Sequence, residues 1–304
     1  MVSALSGFAV IGVIVLVGWV AGRWGGLPEE TEAVGGRLTF AVLTPFLIFS
    51  VAAASDPGVL FTRPLVVSAA AALLCFGLHA LTTRGRDRGT RIVGALAAGY
   101  TNATYIGVPV ATYVLRDTAL VVPIVMLQLL VITPIALTML QVVTTGHSSW
   151  RTSLRAPLRN PLTVALLLGV ILAVTGLKLP GVLAQPVDAI GQAAVPVVLL
   201  VFGMSLSGRR LLAPGPDRGP TAAAVVLKTA VMPALAFALA HVLRLPPTQT
   251  YGVTVMAALP TAQNIFLYAQ SAGTALILAR DAIFLSTLAC VPVLLAITLL
   301  HTLT

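Results

Sequence analysis

The stretch YTNATYIGVPV, residues 100–110, interrupts an apolar run with an amide, hydroxyls and a proline, and LPTAQNIFLYAQS, residues 259–271, does the same in the second half of the chain. Unwound backbone at membrane depth is tolerated only where protein or a water-filled cavity satisfies its polar groups. Matching interruptions in two halves of one chain therefore point to a carrier built around a substrate site.

The rest of the composition sets the class. Of 304 residues, 58% are hydrophobic and only 9% charged, with a mean hydropathy of +1.01. So few polar side chains cannot cover a water-soluble surface, and the chain reads as an integral membrane protein. Ten stretches approach the roughly 20 apolar residues that cross a bilayer. They lie at about 4–22, 38–55, 64–82, 92–113, 118–143, 161–177, 187–206, 221–241, 249–272 and 281–302. Their apolar content is continuous rather than alternating, which fits helices and excludes an outer-membrane barrel. The first span lacks a basic n-region and a small-residue cleavage site, so it reads as a retained helix. Cys75 and Cys290 fall inside spans without partners for a disulfide or zinc site, which leaves apolar packing as their role.

In a soluble protein a net charge of +9 would suggest nucleic acid; here the basic residues sit in short connections and report orientation instead. Assigned alternately, one side holds Arg23, Arg37, Arg84, Arg86, Arg88, Arg91, Arg151, Arg155, Arg159, Arg209, Arg210, Arg218 and Arg280, against Arg63, Arg116, Lys178 and Arg244 opposite. The rich side is expected in the cytoplasm of a multi-pass cell-membrane protein, with both termini outside. The acidic run Glu29, Glu30 and Glu32 reads as a solvated cap on the second span.

Five spans on each side of a basic connector make an all-α fold of two inverted repeats, with boundaries 1–145, 146–159 and 160–304. Asn102 and Asn264 lie 162 residues apart, and the Arg116-Asp117 and Arg280-Asp281 pairs that open the fifth spans lie 164 apart. Pro45 and Pro196 in the second spans, and Pro64 and Pro220 at the starts of the third, add weight to the repeat. The connections are too short to hold a soluble domain.

Asn102 and Asn264 carry the chemistry of the interruptions, beside Pro109 and Pro260. An amide can hold an unwound carbonyl and still bond a substrate carboxylate, and the positive end of each half-helix attracts an anion. The bland alternative is that both merely satisfy backbone at a kink. Thr101, Thr104, Tyr105, Thr261 and Gln263 flank them as further candidates for the cavity wall. Lys228 is the only basic residue well inside a span: it attracts an anionic substrate, takes the place of a coupling cation, or snorkels to the interface. His79, near the end of its helix, reads as a packing or interfacial group. Gln128, Thr133 and Gln192 read as interhelical glue, and Gly18-Trp-Val-Ala-Gly22 as a close-packing or dimerisation face.

The motif Asn102-ATYIGV-Pro109 and the motif Pro260-TAQ-Asn264 resemble those of the auxin efflux carrier family, and the likeness runs along the whole chain. The short connector is similar to that of compact prokaryotic members. The resemblance implies ten helices in scaffold and transport domains, two crossed broken helices, a homodimer through the scaffold, and Asn102 and Asn264 near a bound organic anion. The resulting expectation is a secondary carrier of auxin-like aromatic acids or small carboxylates, without cofactor or metal, driven by a proton, sodium or potential gradient. The competing readings are a sodium-coupled symporter of the bile-acid type and a membrane sensor that binds without transport. No catalytic cluster lies in the spans, so an enzyme is not expected.

Overall fold

Backbone inside an apolar span must find its hydrogen bonds within its own segment, and a helix is the local way to do so. The computed structural model describes residues 2–28, 30–55, 62–118, 120–145, 160–205 and 217–303; the connector 146–159, Glu29, Arg209 and Arg210 lie outside them. It is 85% helical, and the described residues contain no strand. Among the described residues six helices are long and apolar enough to cross a membrane: α2 (Thr31–Ala53), α3 (Arg63–Thr82), α6 (Val121–Val143), α8 (Gly181–Met204), α9 (Arg218–Val242) and α12 (Leu276–His301). Shorter apolar helices are α1 (Ala9–Trp24), α5 (Ala103–Leu115) and α7 (Pro161–Thr175). Two of the sequence-predicted spans are broken, giving α4 (Arg88–Gly99) followed by α5, and α10 (Pro247–Ala258) followed by α11 (Asn264–Ala272).

Proline shapes these helices locally. Wide π turns occupy Thr39–Leu43, Ala103–Gly107, Ala111–Leu115, Leu127–Ile132 and Leu227–Val231, and all but Ala111–Leu115 are followed two residues later by a proline: Pro45, Pro109, Pro134 and Pro233. A proline offers no N–H and its ring collides with the carbonyl four residues back. Widening the preceding turn moves that carbonyl aside, at the cost of one bulge in the helix.

By internal contacts the chain divides into two units, and each draws on both halves of the sequence. The first comprises Met1–Phe61, Thr104–Met126 and Leu158–Arg210. Within it α1 lies along α8, and α2 packs on both α7 and α8. The approach of α1 to α8 depends on two glycines, because a Cβ on Gly18 would strike the Leu200 carbonyl and one on Gly203 the Val15 carbonyl. Gly18 thus serves an internal contact. Gly203→Leu is expected to destabilise the protein by at least about 1–3 kcal/mol, since backbone cannot yield as a side chain does. Thermal unfolding in detergent checks this against Gly12→Leu, whose Cβ would have nothing within 4 Å and which is expected to be silent.

The second unit comprises Thr62–Ala103, Leu127–Pro157 and Leu211–Thr304. Its core is formed by α3, α4, α9, α10 and α12 around Val67, Ala71, Val93, Ala97, Val253 and Leu278. Of the two roles left open for His79, packing holds and the interface does not: it is fully buried, with Nε2 3.1 Å from the Pro220 carbonyl. The ring fits because residue 94 is glycine, where any Cβ would enter the imidazole. Packing decides because α9 covers that end of α3.

Two helix starts also differ from expectation. Glu30 occupies the N-cap of α2 without making a side-chain hydrogen bond, leaving Glu32 in the first turn as the acidic contribution there. The helix containing Arg280-Asp281 begins at Leu276, so the pair lies inside it, with Asp281 buried and held by Arg280 at 2.7 Å. By contrast α4 is capped: Asp87 Oδ1 accepts the Thr90 N–H at 2.9 Å. Hydrogen bonds from the Thr90 side chain and backbone hold the Asp87 carboxyl below its ordinary range. A lowered folded-state value stabilises the fold above the ordinary carboxylate range, and that gain disappears as pH falls through the lowered value. Asp87→Ala is therefore expected to cost about 1 kcal/mol near neutrality. In unfolding experiments the gap between the two proteins should close in acid.

Candidate substrate site at the paired helix breaks

Helix α10 ends because Pro260 restricts the residue before it: Leu259 is extended, at φ −59° and ψ 151°. Helix α4 ends as Tyr100 turns extended, at φ −88° and ψ 105°, leading into Thr101 and Asn102, whose short polar side chains compete for helical backbone bonds. The two extended segments run antiparallel. The Asn102 N–H donates to the Pro260 carbonyl at 2.8 Å, the Ala262 N–H to the Tyr100 carbonyl at 3.0 Å, and Thr101 stands opposite Thr261. Each break thus supplies the hydrogen bonds that the other lost by leaving the helix.

Side chains complete the backbone pairing. Thr261 Oγ1 donates to the Ala97 carbonyl at 2.6 Å, in the last turn of α4 where no intrahelical donor remains. Gln128 Nε2 donates to the Thr101 carbonyl at 2.9 Å, and the Thr261 N–H donates to Ser286 Oγ at 3.0 Å. The Thr101 hydroxyl points to Met232 Sδ at 3.9 Å. Gln128, read as glue from the sequence, belongs to the break itself.

Next to the pairing lies a hydroxyl network. Thr133 Oγ1 stands 3.0 Å from both the Tyr100 and the Tyr268 hydroxyls, and the Asn264 amide lies beside both tyrosines. The two rings meet edge to face, 6.3 Å between centroids. Asn264 is the first residue of α11, whose N-cap, Gln263, makes no side-chain cap. The positive end of that half-helix and the amide therefore coincide.

Lys228 does not snorkel: it is 0% exposed. Its Nζ donates to the Ala257 carbonyl at 2.7 Å and contacts Met232 Sδ at 3.1 Å. Ala257 is in the last turn of α10, where carbonyls lack intrahelical donors and the helix dipole is negative. One half-helix end is thus matched by an ammonium.

Among the sequence candidates, Thr101, Asn102, Pro260, Thr261, Asn264 and Lys228 gather in the second unit, all buried. Gln263 is there too, but exposed. Thr104, Tyr105 and Pro109 belong to α5 of the first unit, where Pro109 follows the π turn. Sequence reasoning passed over Tyr100, Tyr268, Ser286 and Met232. Two tyrosines well inside spans were a usable signal for the network, because buried phenols need partners; Ser286 and Met232 gave none. Among the described residues, no three or more His, Cys, Asp or Glu come together as a metal site requires.

The groups assembled here are neutral amides and hydroxyls, one ammonium, and the ends of half-helices. They can hold a polar or anionic group by hydrogen bonding and offer no nucleophile with an adjacent base. A family model described as membrane transport protein matches residues 5–298. None of the curated proteins matches the chain.

Proposed function

The chain belongs to this membrane transport family, that of the auxin efflux carriers, and from that premise we propose that it is a secondary carrier of organic anions with its substrate site at the paired breaks. The observation that carries this reading is the coincidence of Asn264, the N-terminus of α11 and the Lys228 ammonium around one antiparallel pairing of two broken helices. Positive ends and amide donors favour a carboxylate without placing a second buried charge opposite it.

Ten spans in a five-plus-five inverted repeat account for the two breaks at one offset, and alternating access then moves the crossover between the two faces of the membrane. The arginine-rich connections lie in the cytoplasm and both termini outside. The contact division supports a moving and a fixed part, because each unit takes elements from both repeats. The family resemblance supports a homodimer and aromatic or small carboxylic acids as substrates. A bile-acid-type carrier would place sodium against unwound carbonyls. Lys228 on the Ala257 carbonyl supports a carrier whose cation is instead part of the chain.

Purified protein in proteoliposomes, screened with auxin-like and small carboxylic acids, is expected to accumulate at least one of them, equally well when choline replaces sodium. Binding without accumulation under any gradient would assign the protein to ligand sensing, and uptake abolished by sodium replacement would favour the symporter.

A further inference from the structure

A second feature of the second unit lies apart from the breaks. Between α3, α4 and α6 runs a groove of about 730 Å³, walled by apolar side chains such as Leu73, Phe76, Ile135 and Met139. Leu73 is 62% exposed and Ile135 55%, so the groove opens on the apolar flank of the helices. At one end stand Arg88 and Arg91, on the first turn of α4. Leu96 and Leu127 line the groove farther from the arginines. Eight residues of helix separate Arg88 from Leu96, a rise of about 12 Å.

This shape is amphipathic along its length. The loop and first turn at its mouth carry Arg84, Arg86, Arg88 and Arg91 against a single acid, Asp87, whose carboxylate is already engaged at the α4 N-cap. Arg91 spends one guanidinium nitrogen on a long 3.5 Å contact with the Ala80 carbonyl, while its buried Nε has no partner among the described residues. A basic mouth at the polar end of an apolar channel, on a helix flank facing hydrocarbon, complements one class of molecule.

We propose that this groove holds one acyl chain of an anionic phospholipid, whose headgroup phosphate is bound by Arg88 and Arg91. Phosphate supplies the several acceptors that two guanidinium groups can share, and the acyl chain replaces shorter-lived bilayer contacts along α3, α4 and α6. A zwitterionic lipid offers the same chain but carries its own cation beside the phosphate, so it competes poorly for this mouth. The site is independent of which anion the protein carries, and its test uses no transport measurement.

Native mass spectrometry of the full chain in detergent provides that test, with phosphatidylglycerol and phosphatidylcholine supplied at equal concentration. Phosphatidylglycerol is expected to be retained at collision energies that strip phosphatidylcholine. The Arg88→Gln/Arg91→Gln double variant should reduce the retained adduct about tenfold, which corresponds to about 1.4 kcal/mol. Equal retention of the two lipids, or an undiminished adduct on the double variant, would overturn the proposal. If the double variant elutes as aggregate, Ala95→Trp replaces it: this keeps both arginines, fills the groove where Ala95 lines it, and is expected to cause the same loss. Glycerol phosphate without acyl chains should not displace the lipid; displacement by it would mark a simple anion site and exclude the lipid reading.

Discussion

Replacing Lys228 with methionine is expected to abolish substrate accumulation while barely moving the unfolding temperature. The two effects separate because stability and function weigh the ammonium differently. Removing it orphans the Ala257 carbonyl at the end of α10, which costs about 1–3 kcal/mol for an unsatisfied buried acceptor. It also deprives that helix end of a matching charge, worth up to about 2 kcal/mol in a partly buried setting. Against these stands the release of a desolvated ammonium, whose burial costs several kcal/mol and which has one carbonyl and one thioether as its bonded partners. Methionine fills nearly the same volume, so packing changes little. The opposing contributions are of similar size and the net shift in stability should be small. Nothing offsets the functional loss, because methionine brings no charge to attract an anion or to stand in for a coupling ion. Uptake in proteoliposomes should fall at least tenfold, with a monodisperse protein of near wild-type melting temperature. Uptake that survives the substitution would remove Lys228 from the carrier mechanism. Uptake that returns with sodium would show that the lysine occupies a cation site.

Much of this site could be read in advance, and the reasons are specific. Pro260 dictates an extended Leu259, and the Thr-Asn pair after Tyr100 weakens its helix, so both breaks are local consequences of sequence. Family membership followed from the same two motifs. What could not be read was partnership. Thr261 reaches Ala97 across 164 positions, and Gln128 reaches Thr101 from another helix; neither residue has a local pattern that names its partner. Lys228 was legible as an expensive buried cation but not as the cap of α10, since that depends on how α9 and α10 meet. His79 shows the same limit from the other side: its position near a helix end left packing and an interface both open, and only the packing of Pro220 over it decided for the core. The π turns, in contrast, were within reach. Four of them precede a proline by the same interval, and the steric rule behind that interval is local.

The last expected result separates the frame of the site from its recognition groups. Ala262→Pro removes the N–H that donates to the Tyr100 carbonyl, while leaving every side chain of the pairing in place. It should cost about 1–3 kcal/mol for the orphaned carbonyl and abolish uptake, because the two breaks then lose half of their backbone pairing. Asn264→Ala, in contrast, leaves the backbone pairing intact and removes the amide that lies beside Tyr100 and Tyr268. Its fold should survive, and the dissociation constant of the carried acid should rise at least about tenfold, or about 1.4 kcal/mol. Asn264→Asp supplies the sign of the ligand. The aspartate has nearly the shape of asparagine but places a negative charge at the start of α11, where the helix end stabilises it. An anionic substrate must then approach a like charge, so its binding should fall further than with alanine. Tighter binding of a cation by Asn264→Asp than by wild type, with carboxylates indifferent to both changes, would overturn the assignment of these breaks to an organic anion. Wild-type uptake and stability in Ala262→Pro would show that the pairing of Thr101 with Thr261 does not hold the site together.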